Sequence, residues 1–405
     1  MPQPRPHPLA RAPLVEKLNA ALENSWRRGW LTEPTLEADG LWNKASRGFD
    51  TADEFGGRSA EDARDFRERL EALTASIQGE AQLNALGRTM AHGQLVRAIR
   101  QRLGLGRMWR ERPELLDTSL APPILVIGQM RSGTTRLHRL LAADPGHGAT
   151  RFCDSWHPVP EGGSWRLDTR PLWSGFALFM ARRIDPWIDT LHPFGAARHD
   201  EELGWLASAL DHSAYEAQWR IPSYVALGES RDPAPVWREF ARILRTDASH
   251  HGNADRPRVM KVPQFAEQAE ALLAQFPDAR VMVAEREDTA VARSSASLVA
   301  NQMTIQSDAC DMAWIEGEWQ RKIALRHDAT AAALERFDGP VARANFDRLG
   351  RDWEGAIRSI YAELGLDLTP QALEAMAEEM RRAANSHHRE HAADLERFAK
   401  AAASA

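Results

Sequence analysis

One stretch constrains the fold of this chain more than any other. Residues 122–127 are an apolar run, opened by two prolines and rich in β-branched side chains, which predicts a buried strand. A loop bounded by Gly128 and Gly133 follows, and leucines at helical spacing predict a helix that ends near Asp144. Glycines let backbone N–H groups converge on one point, and a helix N-terminus adds partial positive charge. The stretch therefore predicts an anion-binding site.

The loop has the spacing of a nucleotide-binding P-loop without its usual cation. Gly128 and Gly133 are followed by two threonines, but Thr134 stands where the P-loop pattern has lysine. In enzymes that use ATP or GTP, this lysine reaches the β- and γ-phosphates. Its absence argues against ordinary nucleotide hydrolysis, and the cation of this loop lies earlier, at Arg131.

Strands and helices alternate through the middle of the chain. Residues 258–265 predict a short strand running into a proline turn, and residues 279–286 and 340–346 predict further strands. A second strand is predicted to begin near Thr150, and a helix is predicted over residues 198–210. This alternation predicts an α/β fold with a central parallel sheet and helices on both faces.

Four polar residues are expected at the carboxyl ends of these strands, namely Arg131, Asp154, Lys261 and Arg286. Ligands of parallel sheets bind at this edge, so the four side chains are expected to converge on one site. An arginine offers paired donors to a phosphate. Ser294, on the helix after Arg286, would add a hydroxyl.

Composition argues against several other classes of protein. The net charge of −6 gives no support for nucleic-acid binding through bulk positive charge. The two cysteines, Cys153 and Cys310, lack the CxxC spacing of a zinc site and are too few for a disulfide scaffold. The apolar patch at residues 172–180 is too short to span a bilayer, and the N-terminal residues lack the apolar core of a signal peptide. A cytoplasmic protein without a transmembrane segment is expected.

The loop resembles the 5′-phosphosulfate loop of sulfotransferases that use 3′-phosphoadenosine 5′-phosphosulfate (PAPS), and in particular their large, mainly bacterial group. The resemblance implies a P-loop-like three-layer fold, PAPS as donor, 3′,5′-adenosine bisphosphate (PAP) as product, and no metal. It rests on a cation-Ser-Gly-Thr-Thr run, whose members would bind the donor: Arg131, Ser132, Gly133, Thr134 and Thr135.

Two further matches extend the resemblance. Arg286 and Ser294, eight residues apart, resemble the pair that binds the 3′-phosphate in these enzymes. Lys261 resembles the lysine of a Lys-x-Pro motif and would stabilise the sulfuryl or leaving oxygen. In these enzymes a histidine often lies two residues after the proline. Phe265 occupies that position here, so this position cannot supply a base.

The proton acceptor stays open at this point. Sulfuryl transfer to an alcohol, phenol or amine needs a base close to the nucleophile. Related sulfotransferases commonly carry glutamate after the second strand, which corresponds to Asp154. The alternatives are His157, His199 and Glu201.

The expected organisation is a single enzyme with a helical appendage. Residues 1–118 show helical periodicity and predict an N-terminal helical extension. Residues 119–405 would form the sulfotransferase domain, in which 161–256 is a mostly helical insertion on the acceptor side. The acceptor would be a small molecule, a lipid or a glycan. The rival functions are a P-loop kinase that uses ATP and a non-catalytic nucleotide-binding protein, and the sequence leaves the oligomeric state open.

Overall fold

The fold is built around a parallel sheet. The computed structural model describes residues 4–160, 167–384 and 388–403, and its five strands pair in the order β2-β3-β1-β4-β5. Every pairing is parallel. The central strand is buried along its whole length, as expected for a sheet covered on both faces. The strands are β1 (Ile124–Gly128), β2 (Gly148–Ala149), β3 (Arg258–Met260), β4 (Arg280–Glu285) and β5 (Val341–Asn345).

Helices make up most of the remaining described chain. Several begin at a side-chain cap; for example, Ser59 Oγ accepts a hydrogen bond from the N–H of Asp62. The helices are α1 (Pro13–Arg27), α2 (Ala38–Ala45), α3 (Ala60–Glu80), α4 (Ala85–Glu111), α5 (Thr134–Leu141), α6 (Phe152–Trp156), α7 (Arg170–Ile184), α8 (Ile188–Leu191), α9 (Leu203–Ser208), α10 (Pro222–Ser230), α11 (Ala234–His251), α12 (Ala269–Gln275), α13 (Asp288–Gln306), α14 (Met312–Glu335), α15 (Phe346–Arg351), α16 (Trp353–Glu363), α17 (Pro370–Ala384) and α18 (His388–Ala403). Among the described helices, none is long and apolar enough to cross a membrane.

The two faces of the sheet pack into separate cores. Leu125 and Ile127 of β1 join one apolar cluster, while Ile124 and Val126 join another, because successive strand side chains point to opposite faces. The first cluster includes residues of α3, α4, α11 and α12, and the second includes residues of α5, α16 and α17. This arrangement confirms the predicted three-layer α/β fold.

The N-terminal helices share a core with the sheet. Phe66 of α3 and Leu95 and Ile99 of α4 lie in the same apolar cluster as Leu125. Helices α1 to α4 confirm the helical character that was predicted for this part of the chain. The boundaries at 118 and at 161–256 stay predictions, and residues 161–166 of that insertion lie outside the described chain.

Two local expectations differ from the structure. The strand predicted near Thr150 is only the two-residue β2, and the chain then turns into α6, so that Asp154 lies on a helix. The helix predicted over 198–210 is confined to α9. The residues before it are not helical because His199 pairs with Arg151 in an isolated antiparallel bridge, and the N–H of Asp200 donates to the carbonyl of Thr150.

Candidate active site

Two glycines fix the shape of the loop after β1. Gly133 has a φ of 95°, and a Cβ at this position would lie 2.3 Å from the ring of Phe346. A Cβ at Gly128 would lie 2.8 Å from the carbonyl oxygen of Ala284 on β4. Both approaches are too close for any side chain. The loop thereby delivers the chain into α5, whose first N–H groups have no partner within the helix and can face an anion.

Arg131 lies in this loop with a φ of 71°, a left-handed conformation that is uncommon for a residue other than glycine. Its Nε donates to Ser294 Oγ (2.9 Å), and its Nη1 donates to the carbonyl of Leu191 (2.6 Å). Burial and the charge of Arg286 lower the pKa of Arg131 to about 10, so the guanidinium is still charged at neutral pH. A bound anion would relieve the repulsion between these two cations.

Arg286 follows β4 and contacts the loop directly. Its Nη1 donates to the carbonyl of Arg131 (2.8 Å), and its guanidinium lies 4.5 Å from the centroid of the Phe346 ring. The hydroxyl of Ser132 donates to the carbonyl of Gln129 (2.7 Å) and so stabilises the turn of the loop. The structure therefore brings together Arg131, Arg286 and Ser294, which the sequence had singled out.

Lys261 follows β3, and its side chain is buried beside the start of α5. Its Nζ donates to Thr135 Oγ1 (3.1 Å) and forms an ion pair with Glu201. Its backbone N–H donates to Glu202 Oε2 (2.9 Å). The ammonium group is thus held beside the N-terminus of α5.

His192 joins this group, although the sequence did not single it out. Its Nε2 lies 3.0 Å from Asp200 Oδ1, and its Nδ1 lies 3.8 Å from Glu201 Oε1. Burial alone would raise the pKa of Asp200, but the hydrogen bond and charge of His192 hold it well below its ordinary value. An ionised carboxylate only accepts hydrogen bonds, so the Nε2 that faces Asp200 carries a hydrogen.

The segment that carries His192 is tied to the loop and to α5. The carbonyl of Leu191 accepts from Arg131, and the carbonyl of Pro193 accepts from Arg139 (2.7 Å). No motif spacing marks His192 in the sequence. The available signal is a histidine a few residues before the acidic run 200–202.

Glu202 has a fully buried carboxyl group that accepts the hydrogen bond from the backbone N–H of Lys261. Burial raises its pKa to about 8, so the group is protonated at neutral pH. Close by, burial and the charge of Lys261 lower the pKa of His138 well below its ordinary value. Both groups therefore stay neutral, and the positive charge of Lys261 is balanced by Glu201.

We expect Glu202→Gln to remove a pH-dependent loss of stability. The folded chain binds a proton that the unfolded chain, with the ordinary pKa of 4.5, has already released. The contribution of Glu202 to stability is therefore greatest below about pH 4.5 and falls up to about pH 8, by about 1.4 kcal/mol per pH unit. Thermal unfolding should show the variant and the wild type melting alike near pH 5 and the variant melting higher near pH 8. The control is Glu285→Gln at an exposed site; an equal rise in both variants would contradict the account.

The structure places Asp154 in a separate ion-pair cluster. Its carboxylate contacts Arg151 Nε (2.7 Å), Arg170 Nη2 (3.0 Å) and His251 Nε2 (3.1 Å), and the residue is 1% exposed. Burial alone would raise its pKa, but the hydrogen bonds of His251 and Arg151 and the charge of Arg170 hold it far below the ordinary value. Such a carboxylate is a weak base. The role of base expected for Asp154 stays a prediction, and these three ion pairs argue against it.

The other candidate bases lie in different surroundings. His157 follows α6, where its carbonyl accepts from Arg170 Nη1 (3.1 Å). Burial lowers the pKa of His199, which lies in a cavity of about 550 Å³ beside Arg139. Glu201 is the candidate that the structure places against Lys261.

We expect Asp154→Asn to act mainly on stability. Neutralising one member of a buried ion-pair cluster leaves its cations uncompensated, which costs about 3–5 kcal/mol. Chemical denaturation should show this loss, while the turnover of the folded fraction stays close to wild type. Asp168→Asn is the matched control, because Asp168 contacts the same two arginines but is more exposed, and its loss should be smaller. A stable Asp154→Asn enzyme without turnover would instead identify Asp154 as the base.

The fold and this site define a protein of the P-loop-like α/β class. A family model described as "Sulfotransferase family" matches residues 122–370, more than half of the 405-residue chain. This chain belongs to the sulfotransferase family, as the loop predicted. No curated protein matches it significantly.

Solved structures support the assignment. The chain is similar to sulfotransferase STF1 from Mycobacterium tuberculosis H37Rv, with 27% identity and a TM-score of 0.75 over 89% of this chain and 98% of that chain. It also shares the fold of sulfotransferase STF9 from Mycobacterium avium, with 20% identity and a TM-score of 0.76 over 86% of this chain and 88% of that chain. Family and structural likeness support a transferase with sulfotransferase activity.

Proposed function

We propose that this chain transfers the sulfuryl group of PAPS to a hydroxyl or amine of a small-molecule, lipid or glycan acceptor. The observation that carries the proposal is the contact between Arg131, Arg286 and Ser294 beside a P-loop without its lysine. PAPS carries anionic groups at both its 3′ and 5′ ends. A nucleotide with both groups needs two neighbouring anion sites, and these residues supply them.

The donor would lie along the loop. The N–H groups of residues 132–135 and the guanidinium of Arg131 bind the 5′-phosphosulfate. Arg286 and Ser294 bind the 3′-phosphate, which ATP lacks. The hydrogen bond between Arg131 and Ser294 couples the two sites across 163 residues of sequence.

Lys261 would act on the group being transferred. In-line transfer forms a bond from the acceptor oxygen or nitrogen to sulfur and breaks the bond from sulfur to the phosphate oxygen, which leaves with the electron pair as part of PAP. By analogy with phosphoryl transfer, catalysis then depends on positioning and charge stabilisation. Lys261 at the start of α5 stabilises the leaving oxygen.

His192 is the base that the geometry favours. Asp200 holds its Nε2, and its Nδ1 points toward Glu201, one contact away from Lys261. In its neutral form, His192 takes the acceptor proton on Nδ1 as the bond to sulfur forms, and Asp200 stabilises the resulting imidazolium. Glu201 is instead engaged in the ion pair with Lys261.

Transfer of radiolabelled sulfuryl groups tests the proposed function. PAPS labelled in its sulfate is supplied with a panel of alcohols, phenols, amines and sugars, and labelled products are separated. We expect label on an acceptor with the wild type, and at least 100-fold less with Lys261→Ala, the loss seen when one transition-state donor is removed. The exposed Lys17→Ala variant should transfer normally. Transfer of phosphate from labelled ATP instead would establish the kinase, and PAP binding without any transfer would favour the non-catalytic protein.

A further inference from the structure

Helix α7 presents its large apolar side chains to solvent. Leu172, Trp173, Phe176, Phe179 and Met180 are 68, 62, 60, 54 and 42% exposed, and Leu167 just before the helix is 79% exposed. Surface helices ordinarily turn such residues inward. Here the buried positions of α7 are Arg170, Ser174 and Leu178. Residues three and four apart share a helix face, so the exposed side chains form one continuous stripe.

The exposed apolar area of the stripe is larger than that of the largest apolar patch on a typical monomer. With roughly 200 Å² of accessible surface for each side chain of this size, the six residues expose on the order of 700 Å². The largest apolar patch of a typical monomer is about 300–600 Å². One partner of a standard protein interface contributes about 800 Å². The area of the stripe therefore matches one half of a stable dimer.

We propose that α7 is the contact between two copies of this chain, in which it packs against α7 of the second copy about a two-fold axis. Residues 171–181 contain no charged side chain, and interface cores are depleted of charge and enriched in aromatic residues and methionine. A second copy offers the same uncharged face, as a two-fold contact requires. A side chain at Gly175 would meet open space, so the backbone of α7 is open to close approach.

The charges of the chain argue against a lipid bilayer as the occupant. Helices that lie on membranes carry lysines and arginines along a polar face. The arginines of α7 stand only at its ends, and one of them, Arg182, is paired with Asp189 (2.6 Å). The net charge of −6 also opposes binding to anionic lipid.

The contact would border the proposed site. Helix α8, which follows α7, ends at Leu191, whose carbonyl accepts from Arg131 in the loop. A second copy on α7 would therefore lie beside the acceptor side of each site. This consequence rests on the proposed function, whereas the association does not, so a monomeric enzyme that transfers sulfuryl groups would overturn the association alone.

Sedimentation velocity of the full chain tests the association. We expect the wild type to sediment with twice the chain mass of 45.3 kDa and Phe176→Glu to sediment as a monomer. Trp30→Glu is the matched control, because Trp30 is 66% exposed on another part of the chain, and it should stay dimeric. Circular dichroism shows whether each variant folds. If a variant does not fold, the mass of the wild type alone still shows whether the chain associates.

Three results would overturn the proposal. The first is a wild-type monomer at every concentration, and the second is a dimer that persists in folded Phe176→Glu. The third is a wild-type monomer that co-sediments with vesicles of phosphatidylglycerol, a behaviour that Phe176→Glu abolishes. In that case the stripe would be a membrane-binding surface.

Discussion

The His192→Ala enzyme is expected to turn over about 10²- to 10⁴-fold more slowly than the wild type, which is the contribution of a positioned general base. Its affinity for PAP should not change, because the arginines that hold the donor are intact. His192 is tied to Asp200 on one side and faces Glu201 on the other, close to Lys261. Single-turnover transfer of labelled sulfate at saturating PAPS, together with PAP titration, measures both quantities.

Matched variants separate this role from the alternatives. Asp200→Asn should slow transfer less than His192→Ala, because the imidazole is retained but its tautomer is no longer fixed. His157→Ala and His199→Ala should stay close to the wild type. Added imidazole should partly restore His192→Ala. A fully active His192→Ala enzyme beside an inactive Glu201→Gln enzyme would transfer the role of base to Glu201.

The Arg286→Ala variant is expected to bind PAP at least tenfold, and up to about a hundredfold, more weakly than the wild type, while its affinity for 5′-AMP changes little. A hydrogen bond to a charged group is worth about 1.5–3 kcal/mol, and each 1.4 kcal/mol is tenfold in affinity. The two ligands differ only in the 3′-phosphate, so the ratio of their losses reports on that group. Calorimetric titration of both ligands into each enzyme gives the ratio.

The comparison of the two ligands also distinguishes the loss of a 3′-phosphate contact from a disturbed loop. Arg286 donates to the carbonyl of Arg131 and lies over Phe346, so its removal can disturb the loop. A disturbed loop would weaken both ligands equally, and that result would remove Arg286 from the 3′-phosphate site. The exposed Arg343→Ala, on the neighbouring strand β5, should leave both affinities unchanged.

Local sequence patterns predicted the parts of the site that follow strands. The run before Gly128, the loop cation Arg131, and Lys261 and Arg286 each stand at a fixed place relative to an apolar segment. In a parallel sheet these places meet at one edge. Topology alone therefore brought together residues more than 100 positions apart.

Side-chain contacts that depend on tertiary packing could not be predicted from local sequence patterns. Asp154 has the expected position after the second strand, but its side chain pairs with His251, 97 residues later on α11. His192 reaches the site because its neighbours Leu191 and Pro193 bind Arg131 and Arg139. Neither contact leaves a period or spacing in the sequence. Residues 172–180 were recognised as apolar, but their exposure depends on which face of α7 the rest of the chain covers.

A comparison of the affinities for two nucleotides tests the central claim most directly. PAP and ATP with Mg²⁺ are titrated separately into the wild-type protein in a calorimeter. PAP carries the 3′-phosphate that Arg286 and Ser294 are proposed to bind, while ATP carries the γ-phosphate that a P-loop lysine would hold. We expect PAP to bind at least tenfold more tightly, the effect of one charge-assisted hydrogen bond. Tighter binding of ATP with Mg²⁺ would contradict the assignment of PAPS as donor.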